Sequence, residues 1–179
     1  MQIKLFRCNV CAKAYLGEAP PSACPFCGAS TKYIVPQEEH EYTLSAEDVS
    51  DKTKQNITTA IEIEVSNAEF YHCAKKRGKS NYGKKLFGSL AYAEAEHAAL
   101  LSKVLNGEKP KISLDAGKCS EEYKDNLQEA HNREQNAIEN YAKFAHEATE
   151  PKVKMIFNAL VEIEQSHLKI EEEQLKKQT

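Results

Sequence analysis

Two glutamate–histidine pairs stand at the same spacing in the second half of the chain. Glu94 precedes His97 by three residues, and Glu164 precedes His167 by three residues. Three residues span about one turn of an α-helix, so each glutamate shares a helix face with its histidine. Leucines stand four residues before and four residues after the first pair, on that same face. A carboxylate on an apolar face is costly unless a partner neutralises it, so the pattern indicates a bound cation.

The two pairs belong to an internal repeat of 70 residues. When the sequence is aligned with itself at an offset of 70 residues, Glu64 aligns with Glu134, Tyr71 with Tyr141, and the first glutamate–histidine pair with the second. Each copy reads E-x6-Y followed by E-x-x-H, which predicts a helical hairpin. Four helices are expected, at about 52–77, at about 82–105, from after Ser120 to about 148, and after Thr149 to about 175.

The repeat directs four carboxylates and two imidazoles into one helical core. Unpaired, they would destabilise the fold, whereas two divalent cations would neutralise them. Ferritin-like di-iron proteins have this arrangement, with one glutamate from each of two helices and Glu-x-x-His from each of the other two. The predicted ligands are Glu64, Glu94, His97, Glu134, Glu164 and His167. The connection 107–119 is long enough to cross the bundle lengthwise, and it could equally lead the second hairpin to a partner chain.

A second metal site is predicted near the N-terminus. Cys8, Cys11, Cys24 and Cys27 form C-x2-C-x12-C-x2-C, which places four thiolates around one soft ion. Zinc would make this module a structural ribbon and iron would make it a one-electron carrier, and the spacing alone does not separate them. The predicted organisation is a metal module over 1–36, a polar linker over 37–51 and a helical bundle over 52–179.

Composition excludes several classes of function. The formal net charge of −3 gives no reason to expect nucleic acid or an anionic membrane as partner, and no apolar run approaches the roughly 20 residues of a membrane helix. The N-terminus has no apolar signal core, so we expect a cytoplasmic protein. In a reducing cytoplasm six cysteines favour metal or redox chemistry over disulfides. Cys73 is therefore interpreted as a buried small residue and Cys119 as a free thiol before a helix.

The N-terminal module resembles rubredoxin. The stretch CPFCGA at 24–29 is similar to the second rubredoxin knuckle, and Tyr15 fits the rubredoxin aromatic cluster. Ala12 stands where rubredoxins usually carry glycine, and an alanine with positive φ costs on the order of 1 kcal/mol. A rubredoxin-like module joined to a ferritin-like bundle is the composition of the rubrerythrin family. Here the module comes first, as in reverse rubrerythrins. The predicted fold is mainly α, a ferritin-like four-helix bundle with a small N-terminal rubredoxin-like metal module.

The resemblance implies an oxidoreductase, a non-haem di-iron peroxidase that reduces hydrogen peroxide to water. It implies that Glu94 and Glu164 bridge two irons, that the other two glutamates are terminal ligands, and that each histidine faces one iron. Tyr71 and Tyr141 would hydrogen-bond to ligand carboxylates. Iron is favoured over zinc in the cysteine site, because zinc could not pass electrons from a donor protein. A homodimer, swapped or unswapped, would place the cysteine centre of one chain near the di-iron site of the other.

The chain departs from the family pattern at one position. Typical rubrerythrins have a seventh carboxylate three residues after the third-helix glutamate, where Ala137 stands here. His131 is interpreted as a residue at the edge of the core, and Glu139, like its repeat mate Glu69, as solvated or hydrogen-bonded. With six predicted ligands and no seventh carboxylate, a ferroxidase that oxidises Fe(II) is an alternative function. A non-enzymatic protein with a structural zinc ribbon, and zinc or manganese in the bundle, is a further alternative.

Overall fold

The structure is a computed structural model that describes residues 2–40 and 46–178. Residues 41–45 of the predicted linker lie outside the described residues, as do the terminal residues 1 and 179. One-turn 3₁₀ helices occur at Thr31–Tyr33, Gln37–Glu39 and Ala46–Asp48. In the described parts of the chain, none of the helices combines the length and the apolarity that crossing a membrane requires.

The N-terminal module is a three-stranded antiparallel sheet with two cysteine knuckles. Strands β1 (Lys4–Cys8), β2 (Ala14–Gly17) and β3 (Ile34–Pro36) lie in the order β2–β1–β3. The knuckles repeat one geometry, in which the N–H groups of Ala12 and Gly28 donate to the carbonyl groups of Cys8 and Cys24, both at 2.9 Å. Ala12 has φ 60° and Gly28 has φ 79°. The positive φ considered for Ala12 is therefore present, and this alanine adopts a conformation that favours glycine.

The rest of the chain is a four-helix bundle, which confirms the predicted fold class. The helices are α1 (Asp51–Arg77), α2 (Asn81–Val104), α3 (Tyr123–Glu147) and α4 (Pro151–Lys176). The hydroxyl groups of Ser50 and Ser80 cap α1 and α2 by accepting from the N–H groups of Thr53 and Gly83. α1 packs against α2 and α3 against α4, so each repeat forms one hairpin.

Glu150 joins the first turns of α1 and α4. Its carboxylate accepts hydrogen bonds from the Ser50 N–H at 2.7 Å and from the Thr53 hydroxyl at 2.8 Å. Only 8% of Glu150 is exposed. Burial alone would raise the pKa of Glu150, but these hydrogen bonds lower it to about 2.

The module packs directly on α2 and α4. Lys13 forms an ion pair with Glu96 of α2, and Lys32 forms one with Glu162 of α4 at 2.6 Å. A Cβ added at Gly28 would lie 3.3 Å from a methyl group of Ile163. Buried residues of the module and of the bundle therefore form one continuous apolar core.

Two cysteines that we expected to remain thiols form a disulfide, so that expectation is wrong. Cys73 near the end of α1 is bonded to Cys119 at the end of the crossover, 46 residues later. The crossover lies tightly on α1, since a Cβ at Gly117 would be 2.1 Å from the Glu69 carbonyl oxygen. The path of the crossover brings the two sulfurs together, and their spacing along the sequence gave no sign of it.

Candidate metal centres

The four N-terminal cysteines lie together and are buried. Their sulfurs lie within 4.8 Å of one another, with Cys8 Sγ 3.8 Å from Cys27 Sγ and Cys11 Sγ 3.7 Å from Cys24 Sγ. Four sulfurs placed tetrahedrally at about 2.3 Å from an ion would be about 3.8 Å apart. These two distances match those expected around one tetrahedral ion.

The thiols influence one another electrostatically in the absence of a cation. Hydrogen bonds with neighbouring thiols, together with burial, raise the pKa of Cys11 and of Cys27. Hydrogen bonds from the other thiols lower the pKa of Cys24. Four adjacent sulfurs cannot all ionise in a buried site without a positive charge between them, which is what a metal ion supplies.

The structure brings the six predicted carboxylate and imidazole ligands into two overlapping groups. Glu64 and His97 belong to one group and Glu134 and His167 to the other, while Glu94 and Glu164 belong to both. Within each group the ligand atoms lie within 4.8 Å of one another. The two shared glutamates are those that the resemblance implies as bridging ligands, so the arrangement suits a pair of ions.

The buried nitrogen and oxygen atoms of the six predicted ligands test whether these residues suit a pair of cations. His97 Nδ1 lies 3.2 Å from Glu164 Oε1, and His167 Nδ1 lies 3.2 Å from Glu94 Oε1. All six residues nevertheless keep at least one buried nitrogen or oxygen that has no hydrogen-bond partner among the described residues. Such unpaired buried groups are costly. Their convergence on one space is expected of residues that hold cations.

The pKa values of the glutamates and histidines in this site reflect an excess of buried negative charge. Burial and the neighbouring carboxylates raise the pKa of Glu64 and of Glu134 well above the ordinary range. Burial would lower the pKa of His97 and His167, but the surrounding glutamates raise both well above the ordinary value. Without cations, protons must therefore neutralise part of this charge.

Two tyrosines support the terminal glutamates crosswise. Tyr71 on α1 donates a hydrogen bond to Glu134 on α3. Tyr141 on α3 donates to Glu64 Oε1 on α1 at 2.7 Å. Both tyrosines are fully buried. Each hairpin therefore orients a carboxylate of the other, and the pseudo-twofold symmetry of the repeat extends to these hydrogen bonds.

One functional candidate was missed in the sequence. The sequence analysis assigns no site residue to the C-terminal stretch IEEEQLKKQ, yet Glu171 and Gln174 of this stretch are both buried. Glu171 Oε1 lies 3.0 Å from the Tyr71 hydroxyl. The available signal was spacing: Glu171 stands one turn after His167, on the face of α4 that carries the ligands.

The remaining polar candidates lie away from the two ligand groups. His131 is partly buried and belongs to neither group. Glu139 is exposed and accepts from Gln135 at 2.9 Å, and Glu69 accepts from the Ser113 N–H at 3.0 Å. Ala137 is buried and provides no carboxylate, so no seventh ligand comes from this position.

One imidazole connects the two candidate centres. His97 Nδ1 faces the carboxylates, whereas its Nε2 lies 3.0 Å from the backbone carbonyl oxygen of Cys27. A carbonyl oxygen only accepts, so Nε2 carries a proton, and in the neutral ring that would bind a cation Nδ1 keeps a lone pair directed at the carboxylate site. The cysteine site and the carboxylate site therefore meet within a single chain.

Comparison with known sequences identifies the family. The sequence model of the rubrerythrin family matches residues 55–174, which include all four helices in large part. The chain belongs to the rubrerythrin family. Reverse rubrerythrin-1 of Clostridium acetobutylicum is 26% identical over 113 residues, and the match covers 58% of this chain and 62% of that relative. In this rubrerythrin-family chain the cysteine module precedes the helices, which agrees with the reverse order in the name of that relative.

Solved structures show the same fold for this rubrerythrin-family chain. A two-domain protein from Anabaena variabilis, with DJ-1/ThiJ/PfpI-like and ferritin-like domains, has a TM-score of 0.67 at 16% identity, covering 81% of this chain and 47% of that one. A hypothetical protein from Pyrococcus furiosus has a TM-score of 0.59 at 21% identity, covering 75% and 95%. At these identities the likeness shows the ferritin-like fold alone.

Proposed function

We propose that this protein is a peroxidase that reduces hydrogen peroxide to water, with electrons entering through the cysteine centre. The contact of His97 with both centres carries this proposal. Iron in the cysteine site would pass single electrons, and a pair of iron ions held by the six glutamate and histidine residues would supply two electrons to peroxide. Electrons would then cross from Cys27 to the carboxylate site over one carbonyl group and one imidazole ring.

Three hydrogen bonds to the predicted ligands support this proposal. The Cys27 carbonyl group fixes the tautomer and the ring plane of His97. Tyr71 and Tyr141 fix the two terminal carboxylates. The site is buried, so bulk water is excluded from the reacting atoms, and every electrostatic interaction there is stronger than in solvent.

We assign the entry of peroxide to a groove between α1 and α3. It is lined by Thr59, Glu62, Ile63, Ser66, Asn67, Glu129, Asn132, Arg133 and Asn136. Asn67 follows Glu64 by one turn and is 3% exposed. Its Oδ1 accepts from Arg133 at 3.4 Å, while its Nδ2 has no partner among the described residues. This amide is a donor available to a small polar substrate that comes from the groove.

Three parts of the proposal rest on the family resemblance. A separate redox protein would deliver electrons to the cysteine centre. A homodimer, swapped or unswapped, and a cytoplasmic location are also expected. The contact of His97 with Cys27 lies within one chain, so electron transfer between the centres does not require a partner subunit.

A ferroxidase that oxidises Fe(II) is the second candidate, and Ala137 is the observation that favours it. The position is buried and carries no seventh carboxylate, so the carboxylate site has the six ligands of a simpler iron-oxidising centre. The adjoining cysteine centre argues for the peroxidase, because a ferroxidase that releases its oxidised iron has no need of an electron carrier.

The two candidates differ in their need for iron in the cysteine site. Protein with iron in both sites should sustain peroxide consumption with an excess of a low-potential electron donor. Protein with zinc in the cysteine site and iron in the bundle should complete one turnover and then stop. Equal sustained rates for the two preparations would contradict the electron route, and oxidation by oxygen as fast as by peroxide would favour the ferroxidase.

A further inference from the structure

The two halves of the carboxylate site differ at one buried position. Tyr141 donates to Glu64 and has no second carboxylate partner among the described residues, whereas Tyr71 contacts both Glu134 and Glu171. The residue that stands 70 positions before Glu171 is Leu101, which is also fully buried. The first copy of the repeat therefore has a leucine at the position where the second copy has Glu171.

The hydrogen bonds of Tyr71 determine where protons lie. A phenol has one proton, so it donates to one carboxylate oxygen and accepts from the other partner. Two ionised carboxylates on one buried hydroxyl would leave one pair of oxygens without a proton between them, which is unfavourable. Glu134 faces the metal site and must be ionised to bind a cation. Tyr71 then donates to Glu134, and Glu171 must carry a proton that it donates to the Tyr71 oxygen.

We propose that Glu171 is a neutral carboxylic acid that holds a proton for the Glu134 side of the site and delivers it through Tyr71. Hydrogen peroxide takes up two electrons and two protons to form two water molecules. In the proposed function the iron pair supplies the two electrons, Glu171 supplies one proton and solvent supplies the other. As the Tyr71 proton is transferred by way of Glu134 Oε1 to the reduced oxygen, the Glu171 proton moves to the Tyr71 oxygen, so Glu134 is ionised before and after the step. Glu171 remains as a carboxylate until it takes a proton from solvent. The catalytic part of this proposal rests on the proposed function, whereas the protonation of Glu171 does not.

The surroundings of Glu171 favour the protonated form. Glu171 is fully buried and its Oε2 has no hydrogen-bond partner among the described residues. Burial raises its pKa to about 8, although Tyr71 and His167 act in the opposite direction. Glu94 on α2 and Glu164 on α4 also raise its pKa.

Tyr123 is a further hydroxyl group that interacts electrostatically with Glu171. Tyr123 at the start of α3 lies within electrostatic range of both Glu171 and Tyr82. The Tyr123 hydroxyl is buried without a hydrogen-bond partner in the described residues, whereas Tyr82 is 54% exposed.

Infrared spectroscopy tests the protonation without any peroxide chemistry. The full chain is loaded with zinc, which ionises the metal ligands, and the carbonyl stretching band of a protonated carboxyl group is recorded in H₂O and D₂O. Wild type should show a band that shifts in D₂O, Glu171→Gln and Glu171→Leu should lack it, and the exposed control Glu173→Gln should keep it. A band that survives in Glu171→Gln, or its absence from wild type, would overturn the proposal.

Kinetics of the iron-loaded protein test proton delivery. Glu171→Gln should slow the reaction with peroxide roughly 100-fold, at the lower end of what a positioned proton donor contributes. Tyr71→Phe should cause a similar loss that is not additive with Glu171→Gln, because both break one relay. The wild-type rate should fall at the alkaline pH at which Glu171 loses its proton, and this decline should be absent from Glu171→Gln. An unchanged rate in Glu171→Gln would refute delivery, whereas an unreactive wild type with a normal infrared band would refute the peroxidase alone.

Discussion

Replacement of Cys73 and Cys119 by alanine should lower the free energy of unfolding by about 4 kcal/mol. The two residues are 46 positions apart and the loop between them contains the whole of α2. The chain-entropy relation gives about 3 kcal/mol for a loop of 15 residues and about 4.7 for one of 100 residues, so a loop of this length corresponds to about 4 kcal/mol. The loss arises in the unfolded state, because the longer free loop has more conformations to give up on folding.

The assay is urea unfolding of the double variant and of wild type at matched metal content. Variants are preferable to a reducing agent, because a thiol reagent would also act on the four metal-site cysteines. The bond itself is checked by counting thiols after metal removal in denaturant, where four of the six cysteines should react in wild type. Six reactive thiols, or a double variant as stable as wild type, would refute the reasoning.

Three further predictions follow from single contacts. Ala12→Gly should stabilise the cysteine module by at most about 1 kcal/mol, because it relieves the φ of 60°. Gly28→Ala should destabilise the module, because its Cβ would press on α4. Thermal unfolding of both variants measures the two effects, and changes of the same sign would contradict the knuckle geometry. Glu150→Gln should lower the free energy of unfolding by on the order of 3 kcal/mol at pH 7. Because the pKa of Glu150 is lowered to about 2, the difference in unfolding free energy between wild type and variant should shrink as the pH falls from 4.5 towards 2. A difference in urea unfolding that does not depend on pH would count against the buried carboxylate. Tyr141→Phe should weaken binding of cobalt to the bundle about 10- to 100-fold, because it removes the hydrogen bond to Glu64. Chelator competition measures this affinity, and an unchanged value would show that the hydrogen bond does not affect cobalt binding.

The repeat made much of the bundle predictable. Helical periodicity fixes which face a residue occupies, so the spacing of Glu94 and His97, repeated at Glu164 and His167, was enough to anticipate that the structure would bring them together. The paired cysteines were equally informative, because their spacing reflects a local knuckle geometry. Both patterns are short-range and need no knowledge of how distant segments pack.

The features that were missed depend on packing between distant segments. The disulfide requires the path of the crossover, which places Cys119 against Cys73. The contact of His97 with Cys27 joins residues 70 positions apart, in a helix and in a knuckle, and only the docking of the module creates it. Glu171 lies within a run of three glutamates, and a charge run at a helix end conceals which member faces inward.

Anaerobic stopped-flow mixing is the most direct test of peroxide reduction with electrons passing through His97. Fully reduced, iron-loaded protein is mixed with one equivalent of hydrogen peroxide and, separately, with oxygen. The absorption of the cysteine-bound iron and that of the bundle iron are followed together, at several protein concentrations. The proposed peroxidase function predicts fast oxidation by peroxide and slow oxidation by oxygen, and the contact of His97 with Cys27 lies within one chain. This contact predicts that the cysteine-bound iron oxidises at a rate that does not depend on protein concentration. A rate that rises in proportion to concentration would contradict transfer within the chain, and a cysteine centre that stays reduced while the bundle is oxidised would contradict the proposed electron route altogether.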